Sequence, residues 1–218
     1  MGLFDFLFPP RVDELALRAV SLDEFLALMK PRVVPDTRPE TIVLLPFNDA
    51  RVRSALHEAK YRGNERAFHF FGSALADYMR DADDIRTTRF DLTSESSRSN
   101  LVVLVPVPLG KERLKERGFN QVHEVILRAL RNLGKEGGIK IDSTLLVRTR
   151  ETLSQVSLPR REREENVRGA FRATRRADPA CTYIVIDDVL TTGATLQSAV
   201  DALKDAGAFH IIPLALAH

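Results

Sequence analysis

A single cysteine, Cys181, stands in a chain of 218 residues, which excludes an internal disulfide framework. The five histidines, His57, His69, His123, His210 and His218, fall at no spacing typical of metal ligands. Neither sign of charge dominates. Thirty-two Lys and Arg against 30 Asp and Glu leave a formal +2, too small to argue for nucleic acid or a membrane surface. No apolar run approaches the ~20 residues that a membrane-spanning helix needs, so no span is expected. The opening Met1-Gly-Leu-Phe-Asp-Phe-Leu-Phe-Pro-Pro10 is rich in Phe, but it carries Asp5 and lacks a basic flank and a small-residue cleavage site. A signal peptide is therefore not expected, and docking of this segment on the core is its simplest reading. Internal repeats are missing as well. What remains is a cytoplasmic chain able to bury one sizeable α/β core with a small appended region.

The most informative stretch present is Tyr183-Ile-Val-Ile-Asp-Asp-Val-Leu-Thr-Thr-Gly-Ala-Thr195. It opens as a buried strand, because Tyr183 to Ile186 form a short apolar run rich in β-branched residues. Two adjacent acids follow, Asp187 and Asp188, and then a hydroxyl-rich turn, Thr191-Thr192-Gly193-Ala194-Thr195. A helix takes over with Leu196, Ala199, Val200 and Leu203 at i, i+3, i+4 and i+7. N–H groups and the positive dipole end of a helix N-terminus attract phosphate. Gly193 permits close backbone approach, and the threonine hydroxyls can donate further hydrogen bonds. Carboxylates accept hydrogen bonds, so Asp187 and Asp188 suit a diol. The spacing fits a ribose 5-phosphate, hydroxyls toward the acids and phosphate toward the threonines. The competing structural reading is an acid pair that caps a helix. No Gly-Lys-Ser/Thr follows the glycine, so the segment is not a Walker loop.

These residues resemble the signature of type I phosphoribosyltransferases. The resemblance implies that Asp187 and Asp188 take the ribose hydroxyls of 5-phosphoribosyl 1-diphosphate (PRPP) and that Thr191, Thr192, Gly193, Ala194 and Thr195 take its 5-phosphate. Further blocks narrow the likeness. Leu101-Val-Val-Leu-Val-Pro-Val-Pro-Leu109 is a strand that stops at two prolines, followed by Arg113 and by Arg117-Gly-Phe-Asn-Gln121, which opens a helix. Then come Arg148-Thr-Arg-Glu-Thr152, Gln155, Leu158, Arg163, Asn166, Val167, Gly169 and Phe171. In this order, the blocks resemble the ComF family, phosphoribosyltransferase-like proteins linked to bacterial competence, over roughly residues 42 to 217. DNA-uptake proteins are partners implied by that likeness, and self-association into a homodimer is left open. ComF relatives commonly begin with a zinc ribbon of paired cysteines. This chain cannot assemble one, and zinc is not expected.

Prolines at 31, 35 and 39 close a helical leader, residues 1–40, ahead of a phosphoribosyltransferase-like domain, residues 41–218. Within the leader, Arg11 to Lys30 reads as one helix. Beyond it the pattern gives a strand at Ile42–Phe47, helices at Arg51–Lys60 and Glu65–Met79, and a polar surface loop from Asp81 to Asn100. Strands are then expected at 101–107, 140–147, 169–173, 182–187 and 209–216, with helices at 119–133 and 195–206. Strand–helix alternation implies an α/β fold, a mainly parallel sheet flanked by helices, here of the type I phosphoribosyltransferase kind with a short helical N-terminal region.

Other segments complete the expected site. The resemblance places pyrophosphate at the turn Pro106–Arg113, where Val107 and Pro108 supply backbone and Lys111 or Arg113 a cation. It makes Arg148–Arg168 a hood closing over PRPP, with Arg148 and Arg150 suited to phosphate oxygens. Arg148, Arg150, Arg160, Arg161 and Arg163 also form a basic patch open to a nucleic-acid reading, although no aromatic side chains are interleaved for stacking. Arg117 is placed either at the diphosphate or in a structural role, and Asn120 and Gln121 either cap a helix or touch the acceptor. Lys60, in Ala-Lys-Tyr-Arg-Gly, either serves the site or ends a solvated helix. Hypoxanthine-type relatives carry an acid where Thr191 stands, and threonine is a poor base near neutral pH, which argues against that purine activity. The implied reaction is displacement of pyrophosphate from PRPP, with Mg2+, by an unidentified acceptor, Asp187 and Asp188 holding the ribose and offsetting oxocarbenium charge. Two readings compete with it: a PRPP or nucleotide sensor without turnover, and an interaction protein of DNA uptake or repair that uses the basic loop.

Overall fold

The apolar run Tyr183–Ile186 is buried on both faces because it lies inside a six-stranded sheet. A computed structural model of the chain describes residues 12–89, 101–134, 138–150 and 167–218, with backbone only for 82–89. The N-terminal elements are α1 (Val12–Ala19), α2 (Leu22–Leu26), β1 (Arg32–Val34), β2 (Thr41–Leu45), α3 (Ala50–Arg62) and α4 (Glu65–Arg89). The middle of the chain supplies β3 (Val102–Pro106), α5 (Lys111–Arg117), α6 (Gln121–Leu133), β4 (Ile139–Ile141) and β5 (Leu146–Arg148). Last come β6 (Phe171–Ala173), β7 (Thr182–Val189), α7 (Ala194–Asp205) and β8 (His210–Ala217). The main sheet runs β1-β2-β8-β7-β3-β4, parallel throughout except for β1, which pairs antiparallel with β2 at the edge.

Side chains alternate between two cores, as the two-residue period of a strand requires. Val102 and Leu104 of β3 and Ile184 and Ile186 of β7 face α3, α4 and α6, where Phe25, Phe70, Phe71 and Ile126 fill the layer. Val103, Val105, Tyr183 and Val185 face the other way, against Leu196, Ala199, Val200 and Leu203 of α7. The mainly parallel α/β sheet with helices on both faces is therefore the observed fold class. β7 is buried from Tyr183 through Ile186 and only partly buried from Asp187 onward, because its pairing with β3 ends at Ile186 while its pairing with β8 continues to Val189, so the acids stand where one side of the strand is uncovered.

Several local expectations change. The leader helix is broken in two at Ser21, whose side chain accepts from the Glu24 N–H while Glu24 accepts from the Ser21 N–H, a capping box that starts a new helix. The same leader contributes β1 to the sheet. α4 continues through Arg89 where a loop was expected from Asp81, because Asp81–Arg89 contains no glycine or proline to stop it. Residues 111–117 form α5 rather than a turn. This helix buries no residue, so it lacks the apolar periodicity that reveals helices, but Gly110 and Gly118 bracket it. The expected strand 140–147 is two strands in different sheets. Asp142 accepts from the Thr144 N–H at 3.1 Å in a turn, after which β5 pairs antiparallel with β6 as a separate ribbon.

Gly72 lets α4 press against α6, since a Cβ there would lie 2.5 Å from the Arg128 Cβ and 3.1 Å from the Ala129 nitrogen. Alanine would gain ~1 kcal/mol of helix propensity, but relieving that overlap costs roughly 1–3 kcal/mol and should win. Gly72→Ala is therefore expected to lower the urea midpoint. An unchanged or higher midpoint would show that the two helices can separate without loss.

Candidate functional site

The carboxyl ends of β7 and β3 open into a cavity of about 300 Å³. Asp187, Asp188, Thr191 and Thr195 line it from the strand–turn–helix segment, Val107, Pro108 and Arg113 from the segment after β3, and Arg117, Gln121 and Arg148 from further elements. Phe47, at the end of β2, and Val189 add apolar wall. Ligands in parallel sheets gather at strand carboxyl ends, so the location follows from topology.

The sequence-proposed residues divide between two cavities. Thr192 and Ala194 face a separate cleft of about 710 Å³ behind the turn, with Arg38, Arg168, Ser198 and Asp201. Gly193 sits between, at φ +81°, as the N-cap of α7. A Cβ there would come within 3.1 Å of Thr37 Cβ, so the β1–β2 turn packs directly on the threonine-rich loop. Nothing in the residue pattern foretold that support. Lys111 opens α5 and lines neither cavity, while Arg150 donates to the Arg168 carbonyl at 3.1 Å and also lines neither. Arg148 lies over the Phe171 ring at 5.4 Å, at the start of the two-stranded ribbon. The rest of the expected hood, residues 151–166 with Arg160, Arg161 and Arg163, lies outside the described residues, as does the Phe-rich start.

The acids are engaged by residues whose roles the sequence left open. Lys60, near the end of α3, places Nζ 3.0 Å from Asp188 Oδ1. Gln121 Nε2 donates to Asp188 Oδ2, and Arg117 donates to Gln121 Oε1 at 2.9 Å. The Arg117 guanidinium lies 5.1 Å above the Tyr61 ring. Asn120 caps α6 by accepting from the Val122 N–H at 3.0 Å, and it also donates to the Val107 carbonyl at 2.9 Å. Asn120 therefore ties the start of α6 to the segment after β3, while Gln121 reaches the acids.

Asp187 accepts from the Asp188 N–H at 2.9 Å. Burial, and then the negative charge of Asp188, push its pKa up from 3.8 to about 7, with Lys60 and Arg148 pulling the other way. Among the described residues, no group of three or more His, Cys, Asp or Glu is placed to hold a metal ion, and no helix is long and apolar enough to cross a membrane. Cys181 is buried, and burial raises its thiol pKa, which suppresses thiolate reactivity.

The chain is 31 % identical over 133 residues to the competence protein ComFC of Bacillus subtilis, covering 60 % of this chain and 51 % of that protein. It is 34 % identical over 105 residues to the DNA utilization protein YhgH of Escherichia coli, covering 48 % of this chain and 44 % of the relative. Competence protein F of Haemophilus influenzae is 29 % identical over 106 residues, again covering 48 % and 44 %. The chain thus spans about half the length of the curated relatives it matches. No family model matches it.

The raised Asp187 pKa fixes the sign of one pH effect. Between 3.8 and about 7 the folded chain keeps a proton on Asp187 that the unfolded chain has released, so this group makes stability fall as pH rises through that window. Asp187→Asn keeps the acceptor oxygen and removes the charge. It should raise Tm by roughly 2–8 °C at pH 8, with the gain shrinking toward zero near pH 4. A difference that does not vary with pH would contradict the assignment.

Proposed function

We propose, for a chain that belongs to the ComF family of competence proteins, that the cavity beside Asp187 and Asp188 binds PRPP with Mg2+ and that the chain transfers the phosphoribosyl group to an acceptor. The bond from ribose C1 to the diphosphate breaks, a bond from C1 to the acceptor forms, and pyrophosphate leaves. The supporting observation is the convergence, at one strand end, of two acids with a threonine-lined helix start and three arginines. Asp187 and Asp188 suit the ribose hydroxyls. Thr191 and Thr195, with the first N–H groups of α7, suit the 5-phosphate.

Helix capping supports the same reading. Ser21, Asp49, Asn64 and Asn120 accept hydrogen bonds from the first N–H groups of α2, α3, α4 and α6. α7, like α5, starts on a glycine that offers no side-chain cap, and its first N–H, that of Ala194, donates to Thr192 Oγ1 at a long 3.4 Å, a contact that a phosphate oxygen at this helix end would replace. Arg113, Arg117 and Arg148 suit the diphosphate. The cation fits this donor set, because Mg2+ is held largely through substrate phosphates and needs few protein ligands. Asp187 and Asp188 are the residues that would hold its complex, and the ion would neutralise charge on the departing diphosphate.

A second reading is binding without turnover. Thr191 favours it, since a hydroxyl there cannot take a proton from an acceptor near neutral pH. The relatives are named for competence and DNA utilization, and we infer that either activity here serves DNA uptake or use. The arginines of a DNA-binding reading, Arg160, Arg161 and Arg163, lie outside the described residues.

Calorimetric titration of Mg2+-PRPP tests the binding claim. Wild type should saturate, and Asp187→Asn/Asp188→Asn should weaken binding by about 100-fold or more, the equivalent of ~3 kcal/mol. Absence of binding at millimolar PRPP would overturn both the transferase and the sensor. With candidate acceptors added, pyrophosphate release over hours marks transfer, whereas intact PRPP throughout marks sensing.

A further inference from the structure

Of two sequence blocks, Ala59-Lys-Tyr-Arg-Gly63 and Arg117-Gly-Phe-Asn-Gln121, only Arg117 has a part in the reading above. In the fold they meet. Gly63 ends α3 at φ +59°, and a Cβ on it would come 3.2 Å from Phe119, whose ring packs edge-on against Phe68 at 5.7 Å. That contact brings the end of α3 beside the α5–α6 junction. The polar side chains of the two blocks then close a ring around one carboxylate. Tyr61 lies under Arg117, Arg117 donates to Gln121, Gln121 donates to Asp188, and Asp188 pairs with Lys60, the chain neighbour of Tyr61.

We infer that this ring is a clamp for Asp188, with Lys60 as the positioning residue that fixes the carboxylate for a ribose hydroxyl. The inference rests on the sugar-phosphate reading of the cavity. Each carboxylate oxygen has two lone pairs, so one bond from Lys60 and one from Gln121 fix the orientation of Asp188 while leaving it able to accept from a ligand. The Lys60 and Asp188 side chains are 23 % and 13 % exposed, which shelters the pair from the screening that makes surface ion pairs negligible. Lys60 also supplies positive charge where two adjacent acids would otherwise repel each other. The acid pair stands at the end of β7, but its geometry is set by residues more than 60 positions earlier in the chain.

The test titrates ribose 5-phosphate, and separately Mg2+-PRPP, into wild type, Lys60→Gln, Asp188→Asn and the double variant. A clamp predicts that Lys60→Gln weakens both ligands by the same factor, about 10- to 100-fold as for other residues that orient a ligating group. It also predicts little further loss from Lys60→Gln once Asp188 is Asn, since the two residues act as one unit. Unchanged affinity in Lys60→Gln would overturn the clamp. So would a loss confined to PRPP that persists in the Asp188→Asn background, because Lys60 would then be touching the diphosphate. Failure of wild type to bind either ligand would instead remove the sugar-phosphate reading itself, before any variant is compared. Tyr61→Leu provides a second variant should Lys60→Gln not fold. Tyr61 lines neither cavity, so a parallel loss of both ligands supports the ring, and unaltered binding overturns it.

Discussion

Two carboxylates on consecutive residues, half-sunk at the end of a buried strand, repel each other and resist losing water, and much of the site is arranged around that strain. Burial and the charge of Asp188 hold a proton on Asp187 well above the usual carboxylate range. Lys60 is drawn to Asp188 by the same imbalance, and Arg148 approaches from the two-stranded ribbon. Gln121 and Arg117 extend the response into α5 and α6. A site of this kind is electrostatically poised. It brings two acids and three arginines to the wall of one cavity, and on the proposed function a magnesium-bound diphosphate would change the balance on both sides.

The sheet makes this possible by dividing its work. Residues of β3 and β7 up to Val105 and Ile186 are spent on two apolar layers, and only the strand ends carry chemistry. The N-terminal residues take part in the same construction. β1 extends the sheet edge, Thr37 packs on Gly193, and α3 delivers Lys60. The threonine-rich loop and the acids are thus buttressed by elements that come before the blocks carrying the strongest family likeness.

The legible parts of the molecule were those where local pattern and tertiary role coincide. The apolar run of β7, its acids, the threonine-rich turn and the stripe of α7 are contiguous, so the sequence alone sufficed to place them together. The same holds for β3 and its prolines. α5 escaped because it buries nothing and so shows no stripe. The split of 140–147 escaped because the residues on either side of Asp142–Thr144 are equally strand-like, and only the partner strands tell them apart. Lys60 and Gln121 could be singled out as candidates but not assigned, since their meaning depends on a carboxylate far away in sequence. The contact of Thr37 with Gly193 left no local trace at all.

The measurement that bears most directly on the central claim is a crystal structure of the chain grown with Mg2+ and PRPP. The 5-phosphate is expected against Thr191, Thr195 and the first N–H groups of α7, the ribose hydroxyls on Asp187 and Asp188, and the diphosphate toward Arg113 and Arg117. A ligand bound elsewhere, or one whose diphosphate lies on the threonines and leaves the acids without contact, would contradict it.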